Sequence, residues 1–74
     1  MRKRSVSIRG HRTSISVEDV FWNRLLHMAA MRDLSAAALI AEIDAEREAE
    51  VNLSSAIRVA VLEHALNGTV GEAR

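Results

Sequence analysis

Residues 5–15 have the pattern of a β-strand, whereas the sequence after them has the pattern of helices, and this combination limits the folds open to the chain. The segment contains β-forming residues with polar residues between them, namely Val6, Ile8, Thr13 and Ile15. An isolated strand cannot satisfy its own backbone donors and acceptors and is not stable in water. Because no second strand is predicted in the chain, we expect the same segment of another copy to pair with it, antiparallel about a two-fold axis.

The apolar residues of this segment change parity at Gly10. The two before Gly10 occupy even positions and the two after it occupy odd positions, whereas side chains alternate faces along a regular strand. A bulge at Gly10 would restore one apolar face, with these outward side chains: Ser7, Arg9, Arg12 and Ser14. The alternative is a ribbon confined to about residues 11–15, with the earlier apolar residues in a flexible arm.

Chain length makes self-association the expected route to stability. A domain of 74 residues buries only about 60% of its unfolded surface. The chain has no Cys, so it has neither a disulfide nor a thiolate metal site, and its three histidines are far apart. We therefore expect no metal and no cofactor, and we expect an oligomer.

Charge is segregated along the chain although the net charge is zero. The first seventeen residues contain no acid, and their basic residues are Arg2, Lys3, Arg4, Arg9 and Arg12. Acidic residues crowd the stretch 42–50, which we interpret as a solvated face. This asymmetry predicts a polyanion partner for the N-terminal part. No apolar run approaches the roughly 18 residues that cross a membrane, so we expect no membrane partner. The absence of Cys fits the cytoplasmic location that we expect.

Three helices are predicted after the strand. Their N-caps and spans are Ser16 for about 17–31, Ser35 for about 36–47 and Asn52 for about 53–66. Asn67-Gly68 is a typical helix stop, which leaves 68–74 as a tail. Residues 1–4 are expected to be a flexible basic arm. Residues 1–74 are read as a single domain.

Apolar side chains repeat at helical spacing and predict a core shared by two chains. These dimer-core residues are Ile15, Phe21, Trp22, Leu25, Met28, Leu34, Leu39, Ile40 and Ile43. Phe21 and Trp22, the only aromatic residues, belong to this pattern, so we assign them to the core and not to base stacking.

The order of strand, helix, Ser-capped turn and helix is carried by Arg12-Thr-Ser-Ile-Ser-Val-Glu-Asp-Val-Phe-Trp22, Leu25, Leu34-Ser35 and Leu39-Ile40-Ala-Glu-Ile43. In this order the chain resembles the ribbon-helix-helix DNA-binding proteins of the Arc and methionine-repressor type. With the stretches 4–11 and 52–58 added, it is similar to a bacterial subgroup that has a third helix. The likeness covers roughly residues 4–66. Asp33 departs from the pattern, since glycine is common at that place.

The resemblance implies a mainly α fold with one short N-terminal β-strand, in the order β-α-α plus a third α-helix. It also implies an intertwined homodimer with an intermolecular two-stranded antiparallel ribbon that enters the major groove of double-stranded DNA. The implied base-reading residues are Arg12 and Ser14, with Arg9 added on the bulge interpretation. The implied phosphate-binding residues are Ser35, Ala36 and Ala37 at the second helix, with Arg2, Lys3 and Arg4 adding attraction.

The expected function is that of a sequence-specific transcriptional regulator, a repressor, that is nucleoid-associated when bound. The alternative is the antitoxin of a toxin–antitoxin pair. Such antitoxins carry a long C-terminal segment, and here only residues 67–74 follow the third helix, which favours the repressor. A structural dimer without DNA contact is a third hypothesis, against which the basic strand argues. We expect no enzyme, because no base is placed to activate a serine and no glycine-rich phosphate loop is present. The residues indicate no particular small-molecule effector, and dimers that assemble further on DNA are an alternative to a single bound dimer.

Overall fold

The N-terminal segment folds back on itself within one chain. The computed structural model describes the backbone of residues 2–72 and the side chains of residues 2–67. In it, strand β1 (Arg2–Ile8) pairs antiparallel with strand β2 (His11–Val17). The chain therefore supplies both strands of its own two-stranded sheet.

Two predictions about this segment are wrong. We expected one strand over about residues 5–15 and a flexible arm over residues 1–4, but residues 2–4 belong to β1, and Met1 lies outside the described residues. The basic start of the chain carries little β-forming signal of its own. It is ordered by its cross-strand partners, since Arg4 lies opposite Ile15 and Arg2 opposite Val17.

The change of parity at Gly10 comes from a turn and not from the predicted bulge. Arg9 and Gly10 have φ values of 52° and 80°, and a type I′ hairpin turn requires positive φ at both central residues. Across this two-residue turn, even positions of β1 face odd positions of β2, for example Val6 and Thr13. The apolar side chains therefore share one face of the hairpin, as expected, but through reversal of the chain.

Three helices follow the hairpin: α1 (Asp19–Met31), α2 (Ala36–Glu46) and α3 (Leu53–Glu72). Helix α1 begins two residues later than predicted, because β2 continues through Val17, whose side chain is fully buried. Glu18 takes the N-cap position that we assigned to Ser16, and it makes no side-chain capping hydrogen bond.

The predicted caps of α2 and α3 are confirmed, whereas the predicted end of α3 is wrong. The side chains of Ser35 and Asn52 each accept a hydrogen bond from the amide three residues later, at 3.0 and 2.9 Å. Helix α3 continues through the predicted stop at residues 67–68 to Glu72. A glycine inside a helix costs only about 1 kcal/mol relative to alanine, so it does not end a helix by itself. Residues 73–74 of the predicted tail lie outside the described residues.

The connection between α1 and α2 is a Schellman turn built on Asp33. The amide of Leu34 donates to the carbonyl of Ala29 at 2.8 Å, and the amide of Asp33 donates to Ala30 at 3.1 Å. Asp33 has a φ of 57°, the left-handed conformation that glycine adopts most easily. The residue that departs from the family pattern therefore still takes the backbone conformation of a glycine.

The core lies between the inner face of the hairpin and the three helices. Helix α2 packs against β1, α3 packs against β2, and α1 contacts both other helices. All nine residues predicted for the core take part in it within one chain. Buried ones are Ile15, Leu25, Met28, Leu39 and Ile40, and half-buried ones are Phe21, Trp22, Leu34 and Ile43.

Candidate nucleic-acid interface

The face of the hairpin that points away from the core, here named the outer face, consists of Lys3, Ser5, Ser7, Arg12 and Ser14. All five side chains are exposed. Ser7 lies directly opposite Arg12, and Ser5 lies directly opposite Ser14. Because the neighbours of Arg12 across the sheet are small hydroxyl residues, the surface around its guanidinium is flat and polar.

The structure places two of the three predicted base-reading residues on the outer face. Arg12 and Ser14 alternate along β2 with the inward-facing Thr13. Arg9 instead occupies the first position of the turn and is exposed at the tip of the hairpin. The predicted bulge, on which the assignment of Arg9 to base reading depended, is a turn in the structure.

The three basic residues at the start of the chain divide between the two faces. Lys3 lies on the outer face, whereas Arg2 and Arg4 occupy inward register positions. The Arg4 guanidinium lies over the ring of Trp22, 4.5 Å from its centroid, and its Nη2 donates to Asp19 Oδ1 at 3.2 Å. Arg4 is therefore held against α1, and of the three only Lys3 shares a face with Arg12.

The predicted phosphate-binding amides lie in the first turn of α2. The Ser35 hydroxyl accepts from the amide of Ala38 at 3.0 Å, and the amides of Ala36 and Ala37 precede it. Amides in the first turn of a helix have no acceptor within the helix, and the helix dipole favours an anion at this end. With only methyl side chains at Ala36 and Ala37, this terminus is chemically suited to hold a phosphate oxygen.

Helix α3 is hydrogen-bonded to the edge of β2 at Ser16. The amide of Ser16 donates to Ser54 Oγ at 3.1 Å, and its carbonyl accepts from Arg58 Nη2 at 3.2 Å. Arg58 Nε also donates to Glu18 Oε1 at 2.9 Å, and this hydrogen bond lowers the pKa of the Glu18 carboxyl. Sequence reasoning missed these contacts, because they join residues about forty positions apart and no local pattern reports them.

The contacts at Ser16 reveal which backbone groups of β2 point away from β1. Backbone groups that point to one side recur at every second residue of a strand, so the amides and carbonyls of Arg12 and Ser14 also point away from β1. Within residues 2–72 no other strand pairs with β2. We name residues 12–14 the open edge of β2; α3 closes it at Ser16.

Part of the acidic stretch lies on the opposite side of the hairpin from Arg12. Asp44 and Arg47 line a cavity with the inward-facing residues Ile8 and His11. Arg47 Nε donates to Asp44 Oδ1 at 2.7 Å, so this part of the acidic stretch is paired locally. The positive charge of the outer face is therefore separated from Asp44 by the sheet.

Two further observations concern the described part of the chain. It contains no group of three or more His, Cys, Asp or Glu side chains arranged to hold a metal ion. None of its helices combines the length and the apolarity that crossing a bilayer requires.

Comparison with known proteins gives one match. A family model described as the ribbon-helix-helix domain matches residues 1–65, which comprise the hairpin, α1, α2 and more than half of α3. No curated protein and no solved structure matches the chain. Because the matched region covers most of the sequence and carries the observed order of elements, the chain belongs to the ribbon-helix-helix family, whose members are generally DNA-binding transcription regulators.

Proposed function

We propose that this protein is a sequence-specific repressor that binds double-stranded DNA as a homodimer. The observation that carries the proposal is the outer face, where Arg12 is exposed among small hydroxyl residues and is separated from Asp44 by the sheet. A major groove admits a two-stranded β-ribbon, and the two β2 strands of a homodimer, each with its Arg12, would form such a ribbon. Membership of the family supports the same class of function.

Arg12 is the proposed base reader. A guanidinium can donate two parallel hydrogen bonds to the O6 and N7 atoms of guanine, and a good bidentate pair is worth about 1–3 kcal/mol of discrimination. Ser14, on the same strand and face, adds a hydroxyl that can donate or accept but that selects weakly among bases. Arg9, at the tip of the hairpin, is placed to reach a base or a phosphate beyond the end of β2.

The open edge of β2 supports the proposed homodimer. Its unpaired amides and carbonyls are complementary to an identical strand that runs antiparallel about a two-fold axis. Several large apolar side chains of α1 and α3 are also exposed in one chain, among them Val20 at 73%, Met31 at 64% and Leu66 at 55%. Association would remove such side chains from water. Proteins of this family usually bind DNA as dimers.

The start of α2 supplies the proposed phosphate contacts. Backbone amides fix the position and the orientation of a protein on the duplex without reading the sequence. In a homodimer the amides of Ala36 and Ala37 would occur twice, related by the two-fold axis. This arrangement matches an operator that consists of two symmetric half-sites.

A dimer bound to an operator would exclude other proteins from the same stretch of DNA, which is the reason for proposing a repressor. The role of antitoxin stays a prediction, and a toxin that co-purifies with the protein would support it.

The proposal is tested by binding of the purified protein to duplex DNA at increasing salt, followed by selection of preferred sites from a random duplex pool. With roughly six to ten phosphate contacts per dimer, affinity should fall by about 10³–10⁵ between 50 and 200 mM salt. Selection should recover a symmetric site. A flat salt titration, or a pool that shows no enrichment, would contradict the proposed function.

A further inference from the structure

We infer that β1 is a second DNA-contacting strand, whose residues Lys3, Ser5 and Ser7 bind the phosphate backbone beside the groove and not the bases within it. The inference rests on the proposed function and extends it to β1, a strand to which that proposal assigns no DNA contact. It follows from the hairpin, from the open edge of β2 and from the width of a major groove.

The first step is the register in which two copies of β2 can pair. Only the amides and carbonyls of β2 that point away from β1 can bond to a second strand. The pairing therefore uses Arg12 and Ser14 of each copy. A register that brought Ser16 opposite Arg12 would displace the α3 side chains that are hydrogen-bonded to Ser16. One register keeps the hydrogen bonds at Ser16 and pairs both Arg12 and Ser14. In it, Arg12 of each copy lies opposite Ser14 of the other, and the two-fold axis passes through Thr13.

The second step is the width of the resulting sheet. Its strand order is β1, β2, β2 of the second copy and β1 of the second copy. Neighbouring strands lie about 4.8 Å apart, so the axes of the two outer strands are separated by three such spacings, about 14 Å. A major groove is only about 12 Å wide. The two β2 strands therefore fit over the base edges, and each β1 strand lies above the phosphates that border the groove.

The third step is the chemistry of β1. Its exposed outer-face side chains are one ammonium group, on Lys3, and two short hydroxyl groups, on Ser5 and Ser7. All three can donate hydrogen bonds to phosphate oxygens, and none has the rigid planar fork of donors that an arginine presents to guanine. Arg4, which has those donors, is turned inward and held over Trp22. The strand is thus equipped to position the protein on DNA without reading its sequence.

The test replaces Lys3 in the full-length protein. For Lys3→Ala, affinity for a selected site and for random duplex should fall by the same factor, with the ranking of base preferences and the sedimentation of the free protein unchanged. Each lost phosphate contact removes about 0.9 from the slope of log K against log salt concentration, so the slope should become shallower by about 2 per dimer. Arg2→Ala is the matched control, since it removes the same charge from the same strand. Because Arg2 occupies an inward register position opposite Val17, its salt slope should change less than that of Lys3→Ala.

Three results would overturn the inference. The first is an unchanged salt slope for Lys3→Ala, and the second is an equal change for Arg2→Ala. The third is an altered preference at particular bases for Lys3→Ala or for the double variant Ser5→Ala/Ser7→Ala, which would place β1 inside the groove beside β2 of the same chain. Failure of the proposed function itself is distinguishable, because then the wild-type protein would not bind duplex DNA in a salt-dependent manner.

Discussion

The backbone amide of Ser16 donates a hydrogen bond of 3.1 Å to the hydroxyl of Ser54, and this contact joins the first turn of α3 to the edge of β2. Arg58, one turn further along α3, donates to the carbonyl of the same residue. The third helix therefore does more than cover the core with Ile57 and Val61, which are buried in it. It also closes one end of the edge of β2, the strand that carries Arg12.

Ser54→Ala should destabilise the folded protein by about 1 kcal/mol, because it leaves the partly buried amide of Ser16 without its acceptor. Urea unfolding at one fixed protein concentration measures the change. Ser55→Ala is the matched control, since it gives the helix the same gain in propensity at the next position. Equal unfolding free energies for the two variants would show that the contact with Ser16 contributes nothing.

Arg12→Ala should relax the base preference of the protein at the position that Arg12 contacts, with a loss of about 1–3 kcal/mol of discrimination, which is about 5- to 150-fold in affinity. Binding to a selected site and to single-base variants of it measures the loss. Arg12→Lys keeps the charge and removes the bidentate geometry, so it should also lose preference while retaining more of the affinity for random duplex.

Ala36→Asp should weaken binding to all duplexes alike, because it adds a negative charge at the proposed phosphate site. An aspartate in the first turn of a helix interacts favourably with the helix dipole, so the variant should still fold. If neither this variant nor Arg12→Ala changed DNA binding, the proposed surface would be wrong.

Asp33→Gly should stabilise the protein by up to about 1 kcal/mol. Asp33 has a φ of 57°, where a side chain is strained and glycine is not, and this gain outweighs the greater freedom of glycine in the unfolded chain. Asp33→Ala should act in the opposite direction, because alanine keeps the strain and loses the short polar side chain that tolerates it. Thermal unfolding of the three proteins compares them, and a stabilising alanine would argue against the left-handed conformation.

Glu18→Gln should lower stability near neutral pH and not in acid. The hydrogen bond from Arg58 lowers the pKa of the Glu18 carboxyl below its usual value of 4.5. A carboxyl with a lower pKa in the folded state stabilises that state above pH 4.5, and the contribution is lost as the pH falls through the lowered pKa. Unfolding free energies of the wild type and the variant, measured from pH 7 to pH 3, should therefore converge in acid. A difference that stays constant with pH would contradict the role of the Glu18 charge.

Elements with a local signal could be predicted from the pattern of amino acids. Three features depend only on residues that are close to one another along the chain. They are the serine cap of α2, the helical spacing of apolar residues between Phe21 and Ile43, and the outward placement of Arg12 and Ser14. The hairpin was also encoded locally, since two residues that include a glycine separate two alternating runs of opposite parity. The same pattern is also compatible with a bulge in a single strand, because the basic residues that begin the first run have little β-forming signal.

Which surfaces meet follows from the packing of segments that are distant in the chain. The basic residues 2–4 form a strand because β2 offers them a partner and Trp22 covers Arg4. The edge of β2 ends at Ser16 because a helix that begins at Leu53 supplies a hydroxyl and a guanidinium there. Short-range preferences select helix, strand or turn one segment at a time. Contacts between distant segments depend on which faces can be buried together and on which backbone groups would otherwise lack a partner. No single stretch of the sequence encodes either condition.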